Sequence, residues 1–194
     1  MIRLVSEHEG WVLGFVDETW WSRLAQPDMH TWADGEPLHL LEKMAYKDDP
    51  DPKALCCYGI LRTDIDQIML RFVDGRPVSH VTIDFLKWVL KRLAAEGKKV
   101  LVLVWDNASW HISKMVRNWI RAYNKEAKRE GGVRIITCRL PIKSPWLNSI
   151  EPHWVHGKRA IVEPARTLTA AELIKRICDY FGCKHLRHLA KKVA

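Results

Sequence analysis

KKVLVLVWDNAS, residues 98–109, decides the fold. Its unbroken Val/Leu run has no polar face, the pattern of a central strand covered on both sides, as in α/β sheets. The run ends in an acid, Asp106. Downstream, Ser113 can cap a helix whose Val116, Trp119, Ile120 and Tyr123 form one apolar stripe. The opposite face carries Lys114, Arg117, Arg121, Lys125 and Lys128, and Gly131-Gly132 ends the helix. VRIITCRLP (133–141) is a further strand. Upstream, Phe85, Leu86, Val89, Leu90 and Leu93 recur at helical spacing, with Thr82 as N-cap and Gly97 as stop.

ALCCYGILR (54–62) and QIMLRFV (67–73) read as a hairpin, and WVLGFVDET (11–19) as a buried strand that delivers Asp17 at its end. A Trp-rich irregular segment follows, and DDPDP (48–52) reads as a solvated loop. SPWLNSIEPHW (144–154) opens a helix that runs to about residue 160, and a last helical region begins near Thr169. Three strands, then helix, strand, helix, strand, helix imply one α/β domain over 1–194, with a helical C-terminal extension from about 165. Its sheet is expected to be mixed, five-stranded and covered by helices on both faces.

The chain has 194 residues, 31 Lys and Arg against 23 Asp and Glu, and a formal charge of +8. That excess suits a polyanion, most often nucleic acid. Ten tryptophans imply extensive specific packing, because each indole N–H needs a partner when buried. Five cysteines without a CxxC pair, and no secretory signal, read as reduced thiols in a cytoplasmic protein. Cys178, Cys183, His185 and His188 do not have a familiar zinc spacing, and core or surface positions explain them better. No apolar run is long enough to span a membrane.

Asp17, Asp106 and Glu151 stand out by position. Strand ends and helix starts are where an open α/β sheet can expose reacting groups without breaking its core. Taken singly, each acid reads as a turn former or a cap. If the first and fourth strands are neighbours, however, Asp17 and Asp106 come close and repel unless a cation neutralises them. Mg²⁺ does so with oxygen ligands, and two such ions can clamp the attacking and leaving oxygens of a phosphoryl displacement.

VDETW, VLVWDNASWH and LPIKSPWLNSIEPHW, in that order, resemble the D…DN…H…LP…SP.LN.IE..W pattern of the DDE transposases. The match is best to the bacterial insertion-sequence branch related to mariner elements, and it extends from about Trp11 to Lys158. The resemblance implies a ribonuclease H-like fold and a metal-binding catalytic triad of Asp17, Asp106 and Glu151 holding two Mg²⁺ or Mn²⁺ ions. It also implies DNA cleavage followed by 3′-OH strand transfer, with transposon ends and target DNA as partners. A homodimer on DNA and a cytoplasmic, nucleoid-associated location are expected. Alternatives are a non-catalytic DNA-binding or assembly remnant and a host ribonuclease H-like nuclease.

The chain departs from the pattern at Lys143, where an aromatic is common, and at Ser149, where Pro is frequent. Relatives carry an N-terminal helix-turn-helix. With the first catalytic strand starting about ten residues after Met1, none is expected here, and a separately encoded partner, a truncation or a decayed copy would account for that. Among supporting residues, Asn107 either orients Asp106 by hydrogen bonding or is a turn residue. His111 either serves the substrate and the acids or simply starts a helix. Asn148 can cap the Glu151 helix, Trp146 and Trp154 are expected to wedge it against the sheet, and Lys143, Lys158 and Arg159 are candidates for DNA phosphates.

Overall fold

The computed structural model describes residues 2–24, 48–161 and 166–190. Their elements are α1 (Ile2–Ser6), β1 (Trp11–Ser22), β2 (Ala54–Arg62), β3 (Gln67–Asp74), α2 (Ser79–Ala95), β4 (Val100–Trp105), α3 (Lys114–Glu130), β5 (Arg134–Arg139), a 3₁₀ turn (Pro145–Leu147), α4 (Glu151–Ile161), α5 (Ala170–Phe181) and β6 (Leu189–Ala190). The sheet order is β5-β4-β1-β2-β3-β6. β1, β2 and β3 form an antiparallel meander, while β4 pairs parallel to β1 and β5 parallel to β4. The sheet has six strands rather than five, because the two-residue β6 joins β3 in parallel. A pairing that short leaves no periodicity to read in the sequence.

Every residue of β4 is buried, as its apolar run requires. Alternation along the strands divides the core into two. Val12, Val16, Leu101, Leu103 and Trp105 face α2 and α3. Leu13, Phe15, Val100, Val102 and Val104 face α4 and α5. Helices therefore cover both faces. Ser113 caps α3 by accepting from the Val116 N–H, Gly131 closes it in the left-handed region, and Thr169 opens α5 with a capping box to Glu172.

Several local expectations change. Helix α2 starts at Ser79, with Val78 as its N-cap, so Thr82 is internal; its buried hydroxyl bonds Tyr58 (2.7 Å) rather than capping. The DDPDP loop is only partly solvated: Asp49 and Asp51 pair with Arg23, whose side chain is 2% exposed and also donates to the Leu168 carbonyl. That cation pins the loop and the start of α5 to the end of β1. Trp21 and Trp154 are core residues, but Trp20 is 46% exposed and Trp146 75% exposed. Trp146 thus does not wedge its turn against the sheet. Trp32, expected with Trp20 and Trp21 to pack near the first strand, lies outside the described residues. Cys178 packs in the core, His185 bonds His188, and His188 bonds Asp74.

Candidate active site

Strand β1 does not end at Asp17. It continues beside β2 to Ser22, with Asp17 opposite Gly59. What ends is the other neighbour: β1–β4 pairing stops at Phe15–Val104. Asp17 and Asp106 each lie two residues past that pair on parallel strands. Alternation sends both toward the α4 face, because Phe15 and Val104 face the same core. The sheet opens between β1 and β4 just there, and Glu151, the first residue of α4, completes the rim.

Asp17, Asp106 and Glu151 line one cleft of about 320 Å³, with Asn107, Lys143 and Asn148 also in its wall. The electrostatics report the crowding. Burial, with the charges of Glu151 and Glu18, pushes Asp17 up to about 7. Burial raises Glu151 too; Lys158 opposes that shift and Asp106 adds to it. Three carboxylates in one partly desolvated cleft favour protonation or a cation.

Two of the acids are tied to the scaffold. Trp154 packs into the core from α4 and donates its indole N–H to Asp17 Oδ2 (3.0 Å). It can lie so close because Gly59 faces it: a Cβ on Gly59 would overlap the indole ring. Asp106 Oδ1 accepts from the Ala108 N–H (2.9 Å) and bonds His111 Nδ1 (2.7 Å). The other ring nitrogen of His111 bonds Glu18 Oε1 (2.8 Å), and Trp110 donates to Glu18 Oε2 (3.1 Å). Trp105 stacks on the imidazole, with ring centroids 4.8 Å apart. Burial alone would lower the His111 pKa, but the bonds to Asp106 and Glu18 outweigh it and raise it to about 9. The hydrogen bond from His111 in turn holds Asp106 below its ordinary range. A buried imidazolium is thus clamped between two carboxylates from different strands.

Sequence reasoning missed Glu18. It follows Asp17 on the opposite face of β1, and nothing in the chain pairs it with His111 ninety-three residues away. Asn107 does not bond Asp106; its amide donates to the Leu140 carbonyl (2.7 Å) and ties the end of β4 to the end of β5. Asn148 does not cap α4 with its side chain. Its amide donates to the Val16 carbonyl (3.2 Å), the residue before Asp17, while its backbone carbonyl accepts from the Glu151 N–H. Lys143 sits at the cleft in the left-handed region (φ 57°). Lys158 is close enough for its charge to act on Glu151, whereas Arg159 is exposed and has no contact with the acids.

Among the described residues, no three His, Cys, Asp or Glu side chains converge into a ready-made metal site. The donor set nevertheless suits a hard divalent cation: three carboxylates, together with Asn148 Oδ1, which is buried without a hydrogen-bond partner in the same cleft wall. An orphaned amide oxygen beside mutually repelling acids is what an oxygen-seeking cation would satisfy.

The family model described as DDE superfamily endonuclease matches residues 15–174. Among solved structures, the chain resembles the Mos1 transposase paired-end complex with left transposon end, at 15% identity and a TM-score of 0.58, covering 94% of this chain and 52% of that one. The Mos1 mariner paired end complex with Mn matches at 16% identity and TM-score 0.58, over 94% and 53%. The catalytic domain of Mos1 mariner transposase matches at 14% identity and TM-score 0.53, over 94% and 78%. The fold is therefore ribonuclease H-like, and the chain spans about half the length of the first two proteins. No curated protein sequence matches.

Proposed function

Because the chain belongs to the DDE superfamily of endonucleases, we propose that it is the catalytic domain of a cut-and-paste DNA transposase, with Asp17, Asp106 and Glu151 as its metal-binding triad. The observation that carries this reading is the meeting of the three acids, from β1, the end of β4 and the start of α4, in one cleft. Bound there, two Mg²⁺ or Mn²⁺ ions would activate water and then a 3′-hydroxyl, and neutralise charge on the reacting phosphodiester. The solved relatives named with Mn and with transposon ends support a divalent ion and DNA as ligands.

The chain's own residues do the positioning. Asp106 would present Oδ2 to the ion, since Oδ1 is held by His111 and the Ala108 amide. His111 and Glu18 fix the rotation of that carboxylate, and Trp105 fixes the imidazole plane. Trp154 does the same for Asp17, so the helix that carries Glu151 is registered against Asp17 by one hydrogen bond. The tether from Asn148 to Val16 sets the distance between the two elements. Metal geometry tolerates little error, and these contacts supply the rigidity it needs. Lys143, in the cleft wall, and Lys158, whose charge reaches Glu151, would take DNA phosphates, with Arg159 one residue beyond. A dimer on paired DNA ends is the proposed assembly, and the paired-end complex of the relative supports it.

The test is a Mn²⁺-dependent assay of cleavage on intact element ends and of strand transfer on pre-cleaved ones, with wild type beside Asp106→Asn. Loss of both steps in a folded variant is expected, and retained activity would overturn the assignment. Cleavage without strand transfer by the wild type would instead indicate a nuclease.

A further inference from the structure

Helix α3 carries a charge pattern that the catalytic cleft does not use. At 3.6 residues per turn, Lys114, Arg117, Arg121, Lys125 and Lys128 fall within a sector of about 80°. The residues that bury against the sheet, Val116, Ile120 and Ala127, point the other way. The acids Glu126 and Glu130 lie on the flank away from β5. The flank toward β5 is fixed by Asn124, whose side chain donates to the Ile135 carbonyl (2.8 Å) and accepts from the Ile135 N–H (2.8 Å). This amide satisfies the outer edge of β5, the last strand of the sheet, and so holds α3 and that edge in one surface. Arg139, on the α3 side of β5, extends the stripe: Arg117, Arg121 and Arg139 line a cavity of about 210 Å³ with Thr137 and His111.

None of these six cations has an acidic partner among the described residues, whereas Arg129, on the same helix but outside the stripe, pairs with Glu130. Six unpaired like charges on one surface repel one another, so the surface is electrostatically unsatisfied unless a polyanion covers it. It also leads to the site. The stripe begins three residues after His111, Arg139 precedes the cleft-lining Leu140, and the far end lies about 21 Å along the helix axis.

We propose that the α3–β5 face is a second DNA-docking surface, on the side of the sheet opposite α4, which holds a duplex by its phosphates along a line that starts near the edge of the catalytic cleft. The inference rests on the DNA-transposase reading of that cleft. A duplex is favoured over a single strand because the stripe is long, straight and lacks exposed aromatic rings on which bases could stack. Over its length, B-DNA presents on the order of a dozen phosphates, more than enough to face six cations. Binding there is through phosphate contacts, independent of sequence.

The test is the salt dependence of duplex binding, measured by fluorescence anisotropy with a 30-base-pair probe and the catalytically silent Asp106→Asn protein as background. Replacing Arg117, Arg121 and Arg139 together by Ala removes three phosphate contacts. The slope of log K against log salt should then fall by about 2.7, so affinity lost between 50 and 200 mM salt shrinks about 40-fold. The matched control, Lys87, Lys175 and Lys184 to Ala, should leave the slope unchanged. All six positions are exposed, and far-UV circular dichroism checks the fold. Lys114→Ala with Lys125→Ala gives an independent arm, with an expected fall of about 1.8. An unchanged slope in both stripe variants, an equal fall in the control, or stronger competition by duplex RNA than by DNA would overturn the proposal. If the slope falls while Asp106→Asn still cleaves DNA, the docking surface stands and the catalytic assignment fails; the converse result separates them in the other direction.

Discussion

Replacing Asp17 by Asn should make the metal-free protein more stable while removing the acid that the chemistry needs. Burial beside the charges of Glu151 and Glu18 lifts Asp17 from its ordinary 3.8 to about 7. For an acid raised in the folded state, the sign is fixed. Below about pH 4 the group is neutral in both states and costs nothing; between pH 4 and 7 the unfolded chain ionises while the fold resists, and stability is lost as pH rises. A displacement of this size corresponds to at most about 4 kcal/mol above pH 7, and water entering the half-open cleft reduces it. Asn is isosteric and its amide oxygen can still accept from Trp154 Nε1, so the change removes charge and little else. Urea unfolding in EDTA at pH 8 should therefore show Asp17→Asn more stable by about 2–4 kcal/mol, with the gap closing toward pH 4. Mg²⁺ should close most of that gap, since saturation to 100 times Kd stabilises a binding-competent fold by about 2.7 kcal/mol. Equal stability of the two proteins at pH 8 in EDTA, or equal Mg²⁺ stabilisation of both, would refute this account of the cleft.

Other outcomes follow from the same contacts. Glu18→Gln should keep a hydrogen bond to His111 but lose the ion pair, lowering strand cleavage and weakening Mn²⁺ binding read by electron paramagnetic resonance; Glu18→Ala should do so more strongly. Unaltered Mn²⁺ affinity in both would remove Glu18 from the site's machinery. Gly59→Ala should overpack the Trp154 ring at a cost of about 1–3 kcal/mol, and cleavage should fall further than thermal stability predicts because Asp17 loses its anchor. Trp154→Phe keeps most of the core contact but not the N–H, so it should reduce activity with a smaller loss in melting temperature. Lys143→Gly relieves a left-handed backbone and should raise stability by about 1 kcal/mol, while lowering DNA affinity; a loss of stability would show that the turn is held by the lysine side chain instead.

Much of this molecule was legible along the chain. The Val/Leu run of β4 has to be buried on both faces, and the apolar stripes of α2 and α3 have to cover it. The turn residues after β2 mark a hairpin. Those are consequences of local periodicity and solvation, and they carried the element order, the two-sided cover and the positions of Asp106 and Glu151 at the end of β4 and the start of α4; the expected strand end at Asp17 was wrong, because β1 continues beside β2 to Ser22. The supporting residues were less legible because their partners are distant in sequence. Asn107 and Asn148 both bond backbone carbonyls of other elements rather than the groups beside them. Trp146 and Trp154 look alike in the sequence, yet one is exposed and the other buried. The α4 helix period places Trp154 on the sheet, while the 3₁₀ turn directs Trp146 outward.

Sequence alone determined that this chain folds as a helix-covered mixed sheet and which three acids deserved notice, because hydrophobic burial and backbone conformation act through near neighbours. Only the tertiary structure decided that Asp17 sits mid-strand where β4 falls away, that Glu18 reaches through the sheet's other face to hold His111, and that Gly59 clears space for Trp154. Each of these depends on strand register, which is set by the packing of the whole sheet, and a shift of one residue would turn Asp17 from the cleft to the opposite core.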